Sequence, residues 1–243
     1  MKQYCFSLWA QIREAIQIGI VFSLSFVAST ALSQTNHPVS ALDSLPKHCH
    51  FSAKFDQKKT LKSLPVPLKS TGKMFFSCHA GLIWETQTPI QESLILTRSE
   101  YQFKQQAESL KSTRLEVLDS IESRFLSRLL IGLMSADKHY IEQTFNTSSF
   151  STTEVSLTPK DSFIQKAIKE IQITHRFSPE KLSISIHHTD GTLVDIDTHH
   201  VTVLQDQDTH MQQCLDTGSP EQHCLALFDP AKMAILLNEN SGN

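Results

Sequence analysis

STGKMFFSCHAGLIWETQTP, residues 70–89, sets apolar side chains against polar ones with the two-residue period of a half-buried strand, and it carries one of the chain's two tryptophans. In its first half Met74 and Phe76 share a face; in its second, Leu82 and Trp84 share a face and Ile83 points the other way. Upstream, FSAKFDQKK (51–59) repeats the pattern, with Phe51, Ala53 and Phe55 on one side and Ser52, Lys54 and Asp56 on the other. Between them, SLPVPL contains Pro65 and Pro67, which cannot sit in a central strand, so the two runs read as a hairpin turning at 64–67. Partners across an antiparallel hairpin have a constant index sum, about 131 for a turn centred there. Cys49 and Cys78 sum to 127, which places the two thiols within a few residues of facing each other.

The alternation continues outward. ESLILTR and EYQFKQQ form a second hairpin through 98–100, with Leu94 and Leu96 on one face. The period then changes. STRLEVLDSIESRFLSRLLIGL (112–133) spaces Leu115, Leu118, Ile121, Phe125, Leu129 and Leu133 by three and four, which predicts an amphipathic helix capped by Thr113 and Glu116 and loosened near Gly132. SADKHYIEQTF predicts a shorter helix with Ser135 as its cap. From residue 151 strands return. EVSLTPK stops at Pro159; AIKEIQITH alternates through Ile171 and Ile173; KLSISIHH sets Leu182, Ile184 and Ile186 against Ser183, Ser185 and His187. Asp190–Gly191 is a strong hairpin turn, TLVDIDTH follows it, and HVTVLQ closes the sheet. Many short antiparallel strands around a helical insertion give a mainly β fold with helices: a curved sheet, or incomplete antiparallel β-barrel, whose concave apolar face the helices cover.

The chain has 243 residues, enough for one ordinary domain. Residues 1–33 read as a cleavable secretory signal: a weakly basic start with Lys2 and Arg13, the uncharged run IQIGIVFSLSFVAST, and small residues at Ala31 and Ser33. The apolar run is shorter than the roughly 20 residues a spanning helix needs. Export and a single mature domain, 34–243, are the expectation. Without residues 1–33, which carry Lys2, Arg13 and Glu14, the formal net charge moves from −3 to −4. No basic excess is left to neutralise phosphates, which argues against nucleic acid as a partner. Cys49, Cys78, Cys214 and Cys224 remain, and an even count in an oxidising compartment predicts two disulfides. Cys214 and Cys224 bracket LDTGSPEQH, whose Gly218 and Pro220 suit a tight return, so Cys49 pairs with Cys78.

These landmarks, in order, resemble the LolA family, periplasmic carriers of outer-membrane lipoproteins, and its broader LolA-related branch. FSAKFDQKK looks like the family's opening F-x-A-x-F-x-Q strand and Gly72 like the glycine of the next. GLIWETQTP matches its W-x-x-x-x-P element and LILT the following strand. VSLTPK looks like its L-x-P-K strand, and LSISIHHTDGTLVDID like its late hairpin. The resemblance covers roughly residues 50–204. It implies a monomeric carrier that shelters acyl chains between the concave sheet and a helical lid. Such a carrier takes its cargo from an inner-membrane releasing transporter and yields it to an outer-membrane acceptor. The cavity wall it implies here is Phe51, Phe55, Met74, Phe76, Leu82, Trp84, Leu94 and Leu96, then Leu182, Ile184 and Ile186, with Leu118, Phe125 and Leu129 from the lid. Lipoprotein carriers place an arginine and a proline just before the tryptophan strand to hold the lid; this chain has CHAGLIW there. Glycolipids or polyene lipids are the alternative cargo, and a sensor or assembly protein that binds without shuttling is the alternative role.

Other chemistries weigh less. HCH at 48–50 and CH at 78–79 meet if the first hairpin forms and could make a Cys/His zinc site, but an oxidised pair removes the thiolates and no C-x-x-C spacing occurs. His187–His188 and His199–His200 are neighbours along strands, so their side chains are expected on opposite faces. Asp190, Asp195 and Asp197 lie near His187 and His199, yet a turn and an outward face account for them. No G-x-S-x-G, H-E-x-x-H or glycine-rich phosphate loop is present, so no enzyme activity, metal or cofactor is expected.

Overall fold

In the computed structural model, strand pairing runs without interruption across eleven antiparallel strands among the described residues, which are 48–99, 101–106, 115–118, 121–149, 151, 153–177, 180–204 and 210–239. All of these fall in one compact unit, Val39–Asn243. The expected signal segment, 1–33, lies outside them, as does Thr113. In chain order the strands are β1 (His50–Thr60), β2 (Leu68–Ser77), β3 (Gly81–Thr88), β4 (Glu92–Thr97), β5 (Gln102–Gln106) and β6 (Leu115–Leu118). After helices α1 (Ile121–Met134) and α2 (Lys138–Thr144) come β7 (Phe145–Ser149), β8 (Glu154–Pro159), the short α3 (Ser162–Gln165), β9 (Ile168–Phe177), β10 (Glu180–His188) and β11 (Leu193–Val203). Helices α4 (His210–Asp216), α5 (Glu221–Phe228) and α6 (Pro230–Glu239) follow.

The spatial order is β6-β5-β4-β3-β2-β1-β11-β10-β9-β8-β7. The first and last strands pair in the middle, and the chain leaves the sheet at one edge, β6, and re-enters at the other, β7. The connection between those edges is the helix pair α1–α2. The sheet is therefore open, and helices span its gap.

The first hairpin turns about two residues earlier than its prolines suggest, through residues 61–67. His50 faces Ser77 and Lys59 faces Leu68, so the index sum is 127 throughout. Cys49 consequently sits opposite Cys78, whose N–H donates to Cys49 O at 2.7 Å, and the two are disulfide-bonded with Cα atoms 4.8 Å apart. Cys214 and Cys224 form the second bridge. At Asp190–Gly191 the expected turn is present: Gly191 has φ +84°, and Asp190 accepts from the Thr192 N–H at 2.7 Å. That backbone hydrogen bond holds the Asp190 carboxyl below its ordinary pKa.

The two halves of the sheet differ. From β8 through β11 one face is apolar and the other is a polar ladder, in which Ser183 and Ser185 donate to Asp197 and Asp195 of the next strand. From β2 through β5 both faces are buried. Met74, Phe76, Leu82 and Leu96 join the core under α1–α2, while Phe75, Ile83, Ile95 and Phe103 join a second core under α4–α6.

Further expectations are corrected. Residues 115–118 are strand rather than the first turn of the long helix. Leu115 to Leu118 pair with Gln105 to Gln102 on the edge of the sheet, and a four-residue run with apolar ends satisfies either period, so the available ladder decides. Leu118 is thereby a half-buried edge-strand residue and not part of the lid. The cap of α2 is Asp137, which accepts from the Tyr140 N–H at 3.0 Å; Ser135 instead donates back to Ile131 O and finishes α1. His199 and His200 do not part to opposite faces. His200 has φ +51° at a bulge where β11 slips against β1, and this brings the two rings to 5.0 Å.

Gly132 lies inside α1 rather than loosening its end. A Cβ there would come within 2.4 Å of the Tyr140 ring, so the glycine lets α2 lie against α1. Gly132→Val is expected to lower stability by about 1–3 kcal/mol through overpacking, read as a reduced urea midpoint with unchanged slope.

Candidate functional site

The concave interior is built by strand alternation. On β1, Phe51, Ala53 and Phe55 point inward; in register with them across β2, β3 and β4 come Met74 and Phe76, Leu82 and Trp84, and Leu94 and Leu96. From the other half come Leu182, Ile184 and Ile186 of β10 and Ile171 and Ile173 of β9. Leu129, Leu130, Leu133 and Met134 of α1 and Ile141 of α2 close over this face. Ser127 of α1, itself buried, donates to Thr97 O of β4 at 3.0 Å and ties the helix to the sheet.

Thirteen of the fourteen residues chosen from sequence meet in this one apolar cluster; Leu118 is the exception. They form two groups. Phe55, Phe76, Leu82 and Leu96 are 0% exposed, and Phe51, Met74, Leu129 and Ile184 are buried beside them. Trp84, Leu94, Phe125, Leu182 and Ile186 are partly buried against them and form a rim. At one end the rings of Phe55 and Trp84 lie 4.0 Å apart, and the Phe55 ring occupies the space where Gly72 has no side chain. Phe51 and Phe76 pack at 5.3 Å between centroids near the other end.

A second polar constellation lies on the opposite face of the sheet and was not apparent from sequence. His223 of α5 is 2% exposed; its Nδ1 is 2.9 Å from Glu85 Oε1 and its Nε2 is 2.6 Å from Gln105 Oε1. Lys73 of β2 pairs with Glu85 at 3.1 Å and donates to Thr217 O and Gly218 O just past the end of α4. Burial would raise the pKa of Glu85, but its bond to His223 and the charge of Lys73 outweigh that and hold the carboxyl below its ordinary value. A hydrophobic alternation reveals none of this, because Glu85 and His223 are 138 residues apart.

No family model matches the chain, and no curated protein matches it. Among solved structures it is similar to a DUF1329 family protein from Desulfovibrio piger (9% identity, TM-score 0.40, covering 69% of this chain and 91% of that one). It is also similar to a LolA superfamily protein from Nitrosomonas europaea (10%, 0.37, 68% and 90%). A third is an outer membrane lipoprotein-sorting protein domain from Vibrio parahaemolyticus (8%, 0.29, 70% and 90%). Sheet order and helix packing establish the open-sheet fold independently of them. Among the described residues no helix is long and apolar enough to cross a membrane.

Proposed function

We propose that this protein is a periplasmic lipid carrier. It takes the acyl chains of a lipoprotein or related envelope lipid into the interior between the concave sheet and α1–α2, and moves them from the inner to the outer membrane. The observation that carries the reading is the helix pair itself: it bridges the two open edges of the sheet and covers an interior made almost wholly of Phe, Leu, Ile and Met side chains. With the innermost of these shielded from solvent by the chain alone, admission of a lipid requires α1–α2 to lift from the sheet. Each acyl methylene then buried contributes about 0.8 kcal/mol, while closing the empty interior offsets part of the gain, so binding stays reversible. Nothing in this step needs a nucleophile or a nucleotide; release needs an acceptor of higher affinity.

Cargo other than lipoprotein is favoured by one feature. Where the lipoprotein carriers are expected to hold an arginine before the tryptophan strand, this chain has Cys78 bridged to Cys49 and His79 in a turn. Identifying the lipid that accompanies the protein from a periplasmic extract, by native mass spectrometry, decides between a triacylated peptide and a free glycolipid or polyene ester.

The carrier reading predicts that a fatty-acyl probe shifts the emission of Trp84, the tryptophan that remains once residues 1–33 are removed. Phe125→Ser, a change on the rim face of α1, is expected to weaken that probe about tenfold, the equivalent of ~1.4 kcal/mol. Absence of both co-purifying lipid and probe binding would overturn the reading.

A further inference from the structure

The first hairpin brings two separate Cys-His dipeptides together. Cys49–His50 opens β1 and Cys78–His79 follows β2, and one ligand atom from each of the four residues lies within 4.8 Å of all the others. In a tetrahedral zinc site of two sulfurs and two imidazole nitrogens, ligand atoms stand about 3.3–3.8 Å apart. The widest pair therefore has to close by about 1 Å, and the two bonded sulfurs have to part to about 3.8 Å once reduced. The histidine rings agree: the centroids of His50 and His79 are 5.7 Å apart and tilted by 45°, and two imidazoles on one tetrahedral zinc have centroids about 5 Å apart. His50 is buried and stacks on His210 of α4 at 4.3 Å, which fixes its ring, while His79 is exposed in a turn and free to swing inward.

We propose that Cys49, Cys78, His50 and His79 form a binding site for a thiophilic divalent ion of the zinc class, open when the Cys49–Cys78 disulfide is reduced and shut when it is oxidised. The chemistry balances as two steps. An external dithiol reductant gives two electrons and two protons to the disulfide, yielding two thiols and its own disulfide. The ion then displaces the two thiol protons and takes two thiolates and two neutral imidazoles, a set whose charge cancels its own. Sulfurs held in the disulfide lack the thiolate charge, so the oxidised site retains only the two imidazoles and binds weakly. The site lies at the end of β1 and β2 where α4 meets the sheet through His50 and His210. Exchanging the disulfide for a metal would keep that corner cross-linked.

The test uses the full mature chain and cobalt(II) as the probe. The Cys214→Ser/Cys224→Ser variant is reduced, freed of reductant under anaerobic conditions and titrated. The expected result is one cobalt per chain, with a thiolate-to-cobalt charge-transfer band and the intense visible bands of tetrahedral cobalt, both displaced by zinc. The same variant left oxidised at Cys49–Cys78 should show neither band. His79→Ala, an exposed change that does not threaten folding, should weaken cobalt at least tenfold and alter the visible bands; Cys49→Ser/Cys78→Ser should abolish the charge-transfer band. No band in the reduced protein, equal binding by the oxidised protein, or an unaltered His79→Ala titration would each overturn the proposal. Acyl-probe binding is measured in parallel and is not required for it.

Discussion

Phe55→Ala is expected to lower stability by about 3–5 kcal/mol and to move Trp84 emission to longer wavelength. The ring of Phe55 is 0% exposed and packs on Trp84 at 4.0 Å. It also fills the space above Gly72, where a Cβ would lie 2.6 Å from the ring tip. Truncation therefore loses more than transfer energy. Neither the glycine nor the strand backbone beneath can move up to refill the void, so the cavity term is added almost in full. Trp84, stripped of the ring packed against it and already part of the rim, gains water. A urea titration followed by Trp84 fluorescence reads both effects, and a loss below about 1.5 kcal/mol would mean that the interior collapses easily and does not hold a shaped space. The same substitution separates packing from binding: if the interior takes acyl chains, the probe should bind the variant no more than a few-fold less tightly once folded, because the vacated volume is apolar.

Much of this interior could be read from sequence because strand alternation is a strict rule. Once Phe51 and Phe55 are assigned to one face, Met74, Phe76, Leu82 and Trp84 follow by register. What alternation concealed was the second core. The triplets Met74-Phe75-Phe76, Leu82-Ile83-Trp84 and Leu94-Ile95-Leu96 are apolar without a break, unlike Ser183-Ile184-Ser185. Phe75, Ile83, Ile95 and Phe103 stand in one row across β2 to β5, on the face covered by α4–α6. Unbroken apolar runs in neighbouring strands are the signal of a sheet buried on both sides, and the helical spacing in LALFDPAKMAILL names what covers it. Leu115–Leu118 failed for the opposite reason. Four residues fit a helix or a strand equally, and only the free edge of β5 decides between them. Long-range polar pairing leaves no periodic trace at all, which is why the Glu85–His223 bond had to be seen in three dimensions.

That bond supports the second large effect. His223→Ala is expected to cost about 2–3 kcal/mol, since it removes a buried bond to a carboxylate and leaves Glu85 and Gln105 without their partner on α5, with Lys73 still facing the carboxylate. The loss should be local first. Hydrogen exchange should rise along α5 and α6, which His223 pins to β3 and β5, while β9 and β10 in the other half of the sheet keep their protection. The pH dependence follows from Glu85, whose carboxyl titrates below its ordinary value of 4.5 in the folded chain. A depressed carboxylate adds stability that is fully present above the unfolded pKa and disappears as pH falls through the folded one. The wild type should therefore lose the contribution of this group only below about pH 4.5, and Glu85→Gln should show a flatter stability profile across that same window. Measured as urea midpoints from about pH 7 to pH 3, the gap between wild type and Glu85→Gln should narrow toward acid. A gap that stays constant would show that the Lys73–Glu85–His223 cluster holds α5 by shape and not by charge.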